Sequence, residues 1–223
     1  MLKISYFGNP YIGMYIRAND NYALVPVDSE QSFCDKVSKT LDVEVSKVKI
    51  YDSSLVGLFT SMNNNGIVLP HIAYESEIKK IKKSLGDMNV CQIETKHTAI
   101  GNIIACNDKG AIVSDEIEKY NIKKIEDCLG VEVLPMRISS YHILGSMCIA
   151  NNKGFLVYND IDDEEMDMLE KIFKTNGINT TVNFGFQFPS YGVSTNNKDC
   201  LAGEKTTGIE IMRIQRGLGF TGK

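Results

Sequence analysis

The chain has 223 residues, 43% hydrophobic and 23% charged, with a formal net charge of −4. These are ordinary globular values, and no apolar run approaches the ~18 residues of a membrane-spanning helix. The acidic balance argues against holding nucleic acid mainly by phosphate neutralisation and favours a protein partner, one with a basic surface.

Met1 runs straight into Leu2-Lys3-Ile4-Ser5-Tyr6, which reads as a strand, without the charged-then-apolar pattern of a signal peptide. Cys34, Cys91, Cys106, Cys128, Cys148 and Cys200 form no C-x-x-C pair and lie among apolar residues. They read as buried reduced thiols of a cytoplasmic protein.

From Ile12 onward the chain repeats itself. Gly13, Gly57, Gly101 and Gly145 step by 44, and so do Asn19, Asn63, Asn107 and Asn151. Self-similarity at a fixed period outranks other sequence signals. Each copy runs from the glycine through an apolar stretch to Asn-Asp/Asn, then into apolar residues such as Ile67-Val68-Leu69 or Phe155-Leu156-Val157. This reads as strand, tight turn, strand, with asparagine and glycine supplying the positive backbone angles of a two-residue hairpin. The second strand, continuously apolar, is expected to be buried on both faces.

A helix follows in each copy. Cys34, Val37 and Leu41 recur as Ile78, Ile81 and Leu85, as Ile122, Ile125 and Leu129, and as Met166, Leu169 and Phe173. The spacing i, i+3, i+7 marks one apolar helix face. The other face is charged, including a basic run over Lys79–Lys83 and an acidic helix start over Asp160–Glu165. A third strand is expected at roughly 45–50, 90–94, 133–138 and 180–184.

A fifth copy is blurred. Asn196 and Cys200 match it at a step of 45, with Ile211, Ile214 and Leu218 on the helix face and Thr207-Gly208-Ile209-Glu210 as a capping box. Its third strand is missing at the C-terminus, whereas Leu2–Tyr6 has no hairpin before it. The N-terminal strand is therefore expected to complete the fifth repeat. The expected fold is α/β: one domain, 1–223, forming a closed ring of five pseudo-symmetric β-β-α-β repeats, a five-bladed α/β propeller. The repeats fall near 7–50, 51–94, 95–138, 139–184 and 185–223, the last with strand 2–6.

Such a ring resembles the pentein fold, whose guanidino-group hydrolases and amidinotransferases pair a late cysteine with a histidine and carboxylates. Cys200 is the candidate nucleophile on that reading. It aligns, however, with the buried strand starts Ala23, Ile67, Ala111 and Phe155. None of His71, His97 and His142 carries the His-x-Glu or His-x-Asp pattern, and no metal or phosphate-loop spacing occurs. No cofactor and no small-molecule substrate are expected.

A second resemblance covers the whole chain. Cys106-Asn107-Asp108, Asn151-Asn152-Lys153-Gly154 and above all Gly203-Glu204-Lys205-Thr206-Thr207-Gly208-Ile209-Glu210 are similar to the archaeal translation initiation factor six family. Asp199 departs from it where late repeats have glycine, and Ile209 where proline is usual. The resemblance implies a non-enzymatic, monomeric cytoplasmic factor of protein biosynthesis. It would bind the large (50S) ribosomal subunit, through ribosomal protein and rRNA, and block joining of the small (30S) subunit. Carried over position by position, the contact residues are Gly13, Met14, Gly57, Leu58, Gly101, Asn102, Gly145, Ser146, Tyr191 and Gly192.

Overall fold

The computed structural model describes residues 1–220, so the end of the expected fifth repeat, 221–223, lies outside the described residues. Strand β1 (Leu2–Ile4) is followed by a 3-10 turn, Ile12–Met14. The first unit continues with β2 (Arg17–Ala18), β3 (Tyr22–Pro26), helix α1 (Gln31–Leu41) and β4 (Glu44–Val48). The second has α2 (Val56–Phe59), β5 (Ser61–Met62), β6 (Gly66–Pro70), α3 (Glu75–Ser84) and β7 (Asn89–Ile93). The third has α4 (Ile100–Ile103), β8 (Ile104–Cys106), β9 (Ala111–Ser114), α5 (Lys119–Leu129) and β10 (Val133–Met136). The fourth has α6 (Leu144–Met147), β11 (Cys148–Ala150), β12 (Phe155–Val157), α7 (Asp163–Phe173) and β13 (Gly177–Asn179). The fifth has α8 (Pro189–Gly192), β14 (Val193–Thr195), β15 (Cys200–Gly203) and α9 (Gly208–Gly217).

Each unit holds a three-stranded sheet with a largely apolar middle strand, fully buried in four units and buried but for Tyr22 in the first. The first strand pairs antiparallel and the third parallel to it, as in Ser61↔Val68 and Val68↔Cys91. In the fifth sheet the third strand is β1, with Leu2↔Leu201, Lys3↔Ala202 and Ile4↔Gly203 in parallel register. The N-terminal strand thus closes the ring. Asp199, which replaces a glycine, binds the Met1 ammonium at 2.7 Å beside that strand.

The apolar helix faces are buried where the periodicity places them, but between units rather than within one. Cys34, Val37 and Leu41 of α1 pack in one cluster with Ala23 and Val25 of their own sheet and with Ile4 and Leu201 of the fifth. Ile214 and Leu218 likewise reach Leu156 of the fourth unit as well as Cys200. Every helix is a wedge between neighbouring sheets, so no unit can bury its apolar surface alone.

Three local expectations are corrected. The repeated glycines lie in short helical turns, not at strand starts, and the first strands span only two or three residues. The asparagine turns use no positive φ; the asparagine side chains make the turns instead. The third strand of the fourth unit is Gly177–Asn179, while 180–184 forms the turn after it.

Positive φ angles occur instead at helix C-termini, as at Asp42 and Lys174, and at the turns leaving the third strands: Phe7, Tyr51, Asp52, Ser139, Ser140, Asn183 and Phe184. Carboxylates hold three of these turns, two of them buried (Glu77 and Glu210) and one half-buried (Glu165). Glu77 accepts from the Tyr51 and Asp52 amides at 2.8 and 3.0 Å, Glu165 from Ser139 at 2.7 Å, and Glu210 from Phe184 and Gly185 at 3.1 and 2.8 Å. Burial alone would raise the Glu210 pKa, but these hydrogen bonds and those from Thr207 and Thr181 bring it below the ordinary value.

Candidate functional site

The ring has two poles. At one, the five short helical turns touch in a circle, the Ile12–Met14 turn between α8 and α2. The glycines make this approach possible. A β-carbon on Gly57 would lie 2.0 Å from the Gly13 carbonyl oxygen, one on Gly101 2.2 Å from Gly57, and one on Gly145 2.6 Å from Gly101. One on Gly13 would lie 1.9 Å from the carbonyl of Ser190, so Ser190 is the fifth member of the circle. This shifts one expected pair. Tyr191 is the equivalent of Met14, Leu58, Asn102 and Ser146, while Gly192 corresponds to Met147 and faces Val182.

Of the residues after the glycines, Met14, Leu58, Asn102 and Tyr191 are half-buried and Ser146 is buried. The Tyr191 hydroxyl donates to Asn102 Oδ1 at 3.0 Å, across 89 positions of sequence. Burial raises the Tyr191 pKa, against the hydrogen bonding with Ser146 and Asn102, and the phenol stays neutral. The fold thus joins Asn102, Ser146 and Tyr191 into one polar cluster; Met14 and Leu58 occupy the other part of the circle. The strand directions put the positive-φ turns at this same pole, where Phe7, Tyr51 and Phe184 are 67%, 50% and 81% exposed. Sequence reasoning missed these rim aromatics; each directly follows, or closes, the span in which a third strand was expected, which is the signal that could have found them.

At the other pole, five buried asparagines close a ring of hydrogen bonds. Asn19 Nδ2 donates to the Asn63 carbonyl, Asn63 to Asn107, Asn107 to Asn151, Asn151 to Asn196 and Asn196 back to Asn19, at 3.0–3.1 Å. Each Oδ1 meanwhile accepts the amides two and three residues ahead, as Asn107 does from Lys109 and Gly110. The remaining amide hydrogen of four of them caps a helix C-terminus of the next unit, at Leu129, Phe173, Leu218 or Leu41.

A second ring lies beside it, running through Asp20, Asn64, Asp108, Asn152 and Asn197. Each backbone amide donates to the next side chain at 2.7–2.9 Å. Alternating Asp and Asn also pair side chain to side chain. Five is odd, so the circle must hold one like pair, Asn152 and Asn197.

Neither pole offers a nucleophile with its base. Cys200 is fully buried on β15, and burial pushes its thiol up to about 12. His97 and His142 face Glu116 and Asp115 at 2.9 Å in the third unit, and His71 is exposed in a turn. Among the described residues no group of three or more His, Cys, Asp or Glu could hold a metal ion, and no helix is long and apolar enough to cross a membrane. Lys79 of the basic helix face pairs with Glu75 at 3.6 Å, and Asp162 caps α7 by accepting the Glu165 amide, so each charged run has at least one local partner.

The profile of the eIF-6 family matches residues 1–217. Translation initiation factor 6 of Staphylothermus marinus is 48% identical over 56 residues, 25% of each chain. The proteins of that name from Saccharolobus islandicus and Methanosarcina acetivorans are 46% identical over 57 residues and 45% over 56. These cover 26% of this chain and 26% of the first, and 25% of this chain and 26% of the second. The matched segment therefore spans about a quarter of those relatives. A solved structure of DDAH from Pseudomonas aeruginosa, a mutant complexed with citrulline, shares 10% identity at a TM-score of 0.45, over 76% of this chain and 68% of that one. That likeness is too distant to bear on chemistry.

Proposed function

This chain belongs to the eIF-6 family, and on that premise we propose that it binds the large ribosomal subunit and blocks its association with the small subunit. The family match from residue 1 to residue 217 carries the reading. The glycine pole is the face proposed to bind, with Met14, Leu58, Asn102 and Tyr191 near its axis and Phe7, Tyr51 and Phe184 at its rim. Half-exposed aromatic and apolar groups on a rigid frame suit a protein–protein interface, because little side-chain freedom is lost on docking. The net charge of −4 fits a contact made chiefly to ribosomal protein, with rRNA secondary. The role is steric and non-catalytic, exerted by a cytoplasmic monomer.

Co-sedimentation with purified large subunits, together with light scattering of subunit joining, tests the reading. The protein is expected to pellet with large subunits and to suppress joining. Asn102→Arg is expected to weaken binding about tenfold or more, as a central interface change does, while Lys39→Glu, exposed in the last turn of α1 toward the asparagine pole, leaves it within about twofold. Protein left in the supernatant at micromolar concentration would sink the proposal; the reverse ranking of the two variants would move the binding face.

A further inference from the structure

Between the two poles the five first strands enclose a channel, and one lining position breaks the repeat. Arg17 stands in register with Ser61, Ala105, Ile149 and Ser194. A charged side chain at one of five equivalent lumen positions departs from the local pattern, and such departures concentrate at functional sites.

The guanidinium is only partly satisfied. Nη2 donates to the Gly57 carbonyl at 2.5 Å, in the space left free by Gly101, whose β-carbon would sit 2.8 Å from that nitrogen. Nε is buried without a partner. No carboxylate pairs with Arg17 among the described residues, and none lines this part of the channel, where Ser61, Cys106, Ser194 and Thr195 are its polar neighbours. Asp20 and Asp108 belong to the asparagine pole and are held there by Asn64, Asn152 and Asn197. Cys106 supplies no counter-charge either, because burial pushes its thiol up to about 11. Arg17 as a whole is half-buried, but its Nε is shut off from bulk solvent. Arginine stays charged in proteins, and a guanidinium edge buried with no partner is costly.

We infer that the channel holds one small monovalent anion, of halide size, hydrogen-bonded to Arg17 Nε. The cavity beside Arg17 measures about 30 Å³, room for a monatomic occupant but not for phosphate or sulfate. A single cation in the wall sets the charge at one. A water molecule would satisfy the N–H yet leave the charge uncompensated.

Two measurements on the full chain decide it. In crystals soaked in sodium bromide, an anomalous peak is expected within hydrogen-bond reach of Arg17 Nε. Melts at equal ionic strength are expected to give a Tm about 2–4 °C higher in sodium chloride or bromide than in sodium glutamate, whose anion cannot enter. Arg17→Met should abolish that difference. No anomalous peak at the site, an equal Tm in all three salts, or a peak without any Tm difference (binding at crystal concentration only) would each overturn the assignment. If Arg17→Met does not fold, the bromide map and the wild-type melts still decide.

Discussion

The two poles are built from the same five segments and have diverged to different degrees. At the asparagine pole the same residue recurs five times, each 4–5% exposed, with both ends of its amide occupied. At the glycine pole the backbone contact recurs, yet the neighbouring side chains are Met14, Leu58, Asn102, Ser146 and Tyr191. The contrast follows from what each pole must satisfy. A buried amide that links its own turn, the next turn and the next helix end has no substitute of the same shape and donor pattern. A side chain that points partly into solvent has no such demand, and there the five units are free to differ. Uniformity marks the ring's joints, and divergence marks the face proposed to meet a partner.

The largest expected effect comes from breaking the closure that both poles share. Deleting residues 2–6 removes the parallel partner of β15 and the buried Ile4 and Tyr6. Backbone groups left unpaired in a buried setting cost about 1–3 kcal/mol each, so loss of cooperative melting by circular dichroism is expected. Moving those residues behind the C-terminus on a Gly-rich linker should restore it. A deletion variant that melts cooperatively would mean that closure does not depend on β1.

Next is Gly101→Ala at the glycine pole. Its methyl group would lie 2.2 Å from the Gly57 carbonyl oxygen and 2.8 Å from Leu58 O, backbone that cannot give way cheaply. A loss of about 3 kcal/mol or more in urea unfolding is expected. Ser190→Gly is the matched control, since the fifth unit already carries a side chain there; only the backbone-entropy penalty of about 0.5–1 kcal/mol should appear.

Asn107→Ala tests the opposite pole. It strips partners from the Asn151 and Phe173 carbonyls and from the Lys109 and Gly110 amides. We expect a shift of the urea midpoint worth about 2–4 kcal/mol. Asn107→Asp keeps the acceptors but turns oxygen toward two carbonyls, and should be no better. A loss below about 1 kcal/mol for either would show that water replaces the amide and that the ring is not a joint.

The smallest effect on stability is expected from Asn102→Ala, which gives up one hydrogen bond from Tyr191 at a half-buried site. A change within about 1 kcal/mol by urea unfolding, together with weakened subunit binding, would separate the open face from the joints most cleanly. A loss as large as that of Asn107→Ala would erase the distinction between the poles.

Much of this molecule was legible without coordinates. The period of 44, the helix faces and the buried middle strands could be read because they rest on side-chain periodicity within one unit. The pairing of Leu2–Ile4 with the last unit could be read because a repeat lacking one strand identifies the strand that lacks a repeat. What the sequence could not determine is what the units do to each other. Gly57 does not announce that it faces Gly13, nor Asn63 that its amide ends on Asn107 and Leu129. The shifted register at Ser190, the meeting of Asn102 with Tyr191 and the reach of Arg17 across the lumen to the Gly57 carbonyl all depend on five distant segments converging on one axis. Local pattern sets which face of a strand or helix is apolar; only ring closure sets which backbone atoms come within 3 Å of one another, and those distances decide where glycine, asparagine or arginine can stand.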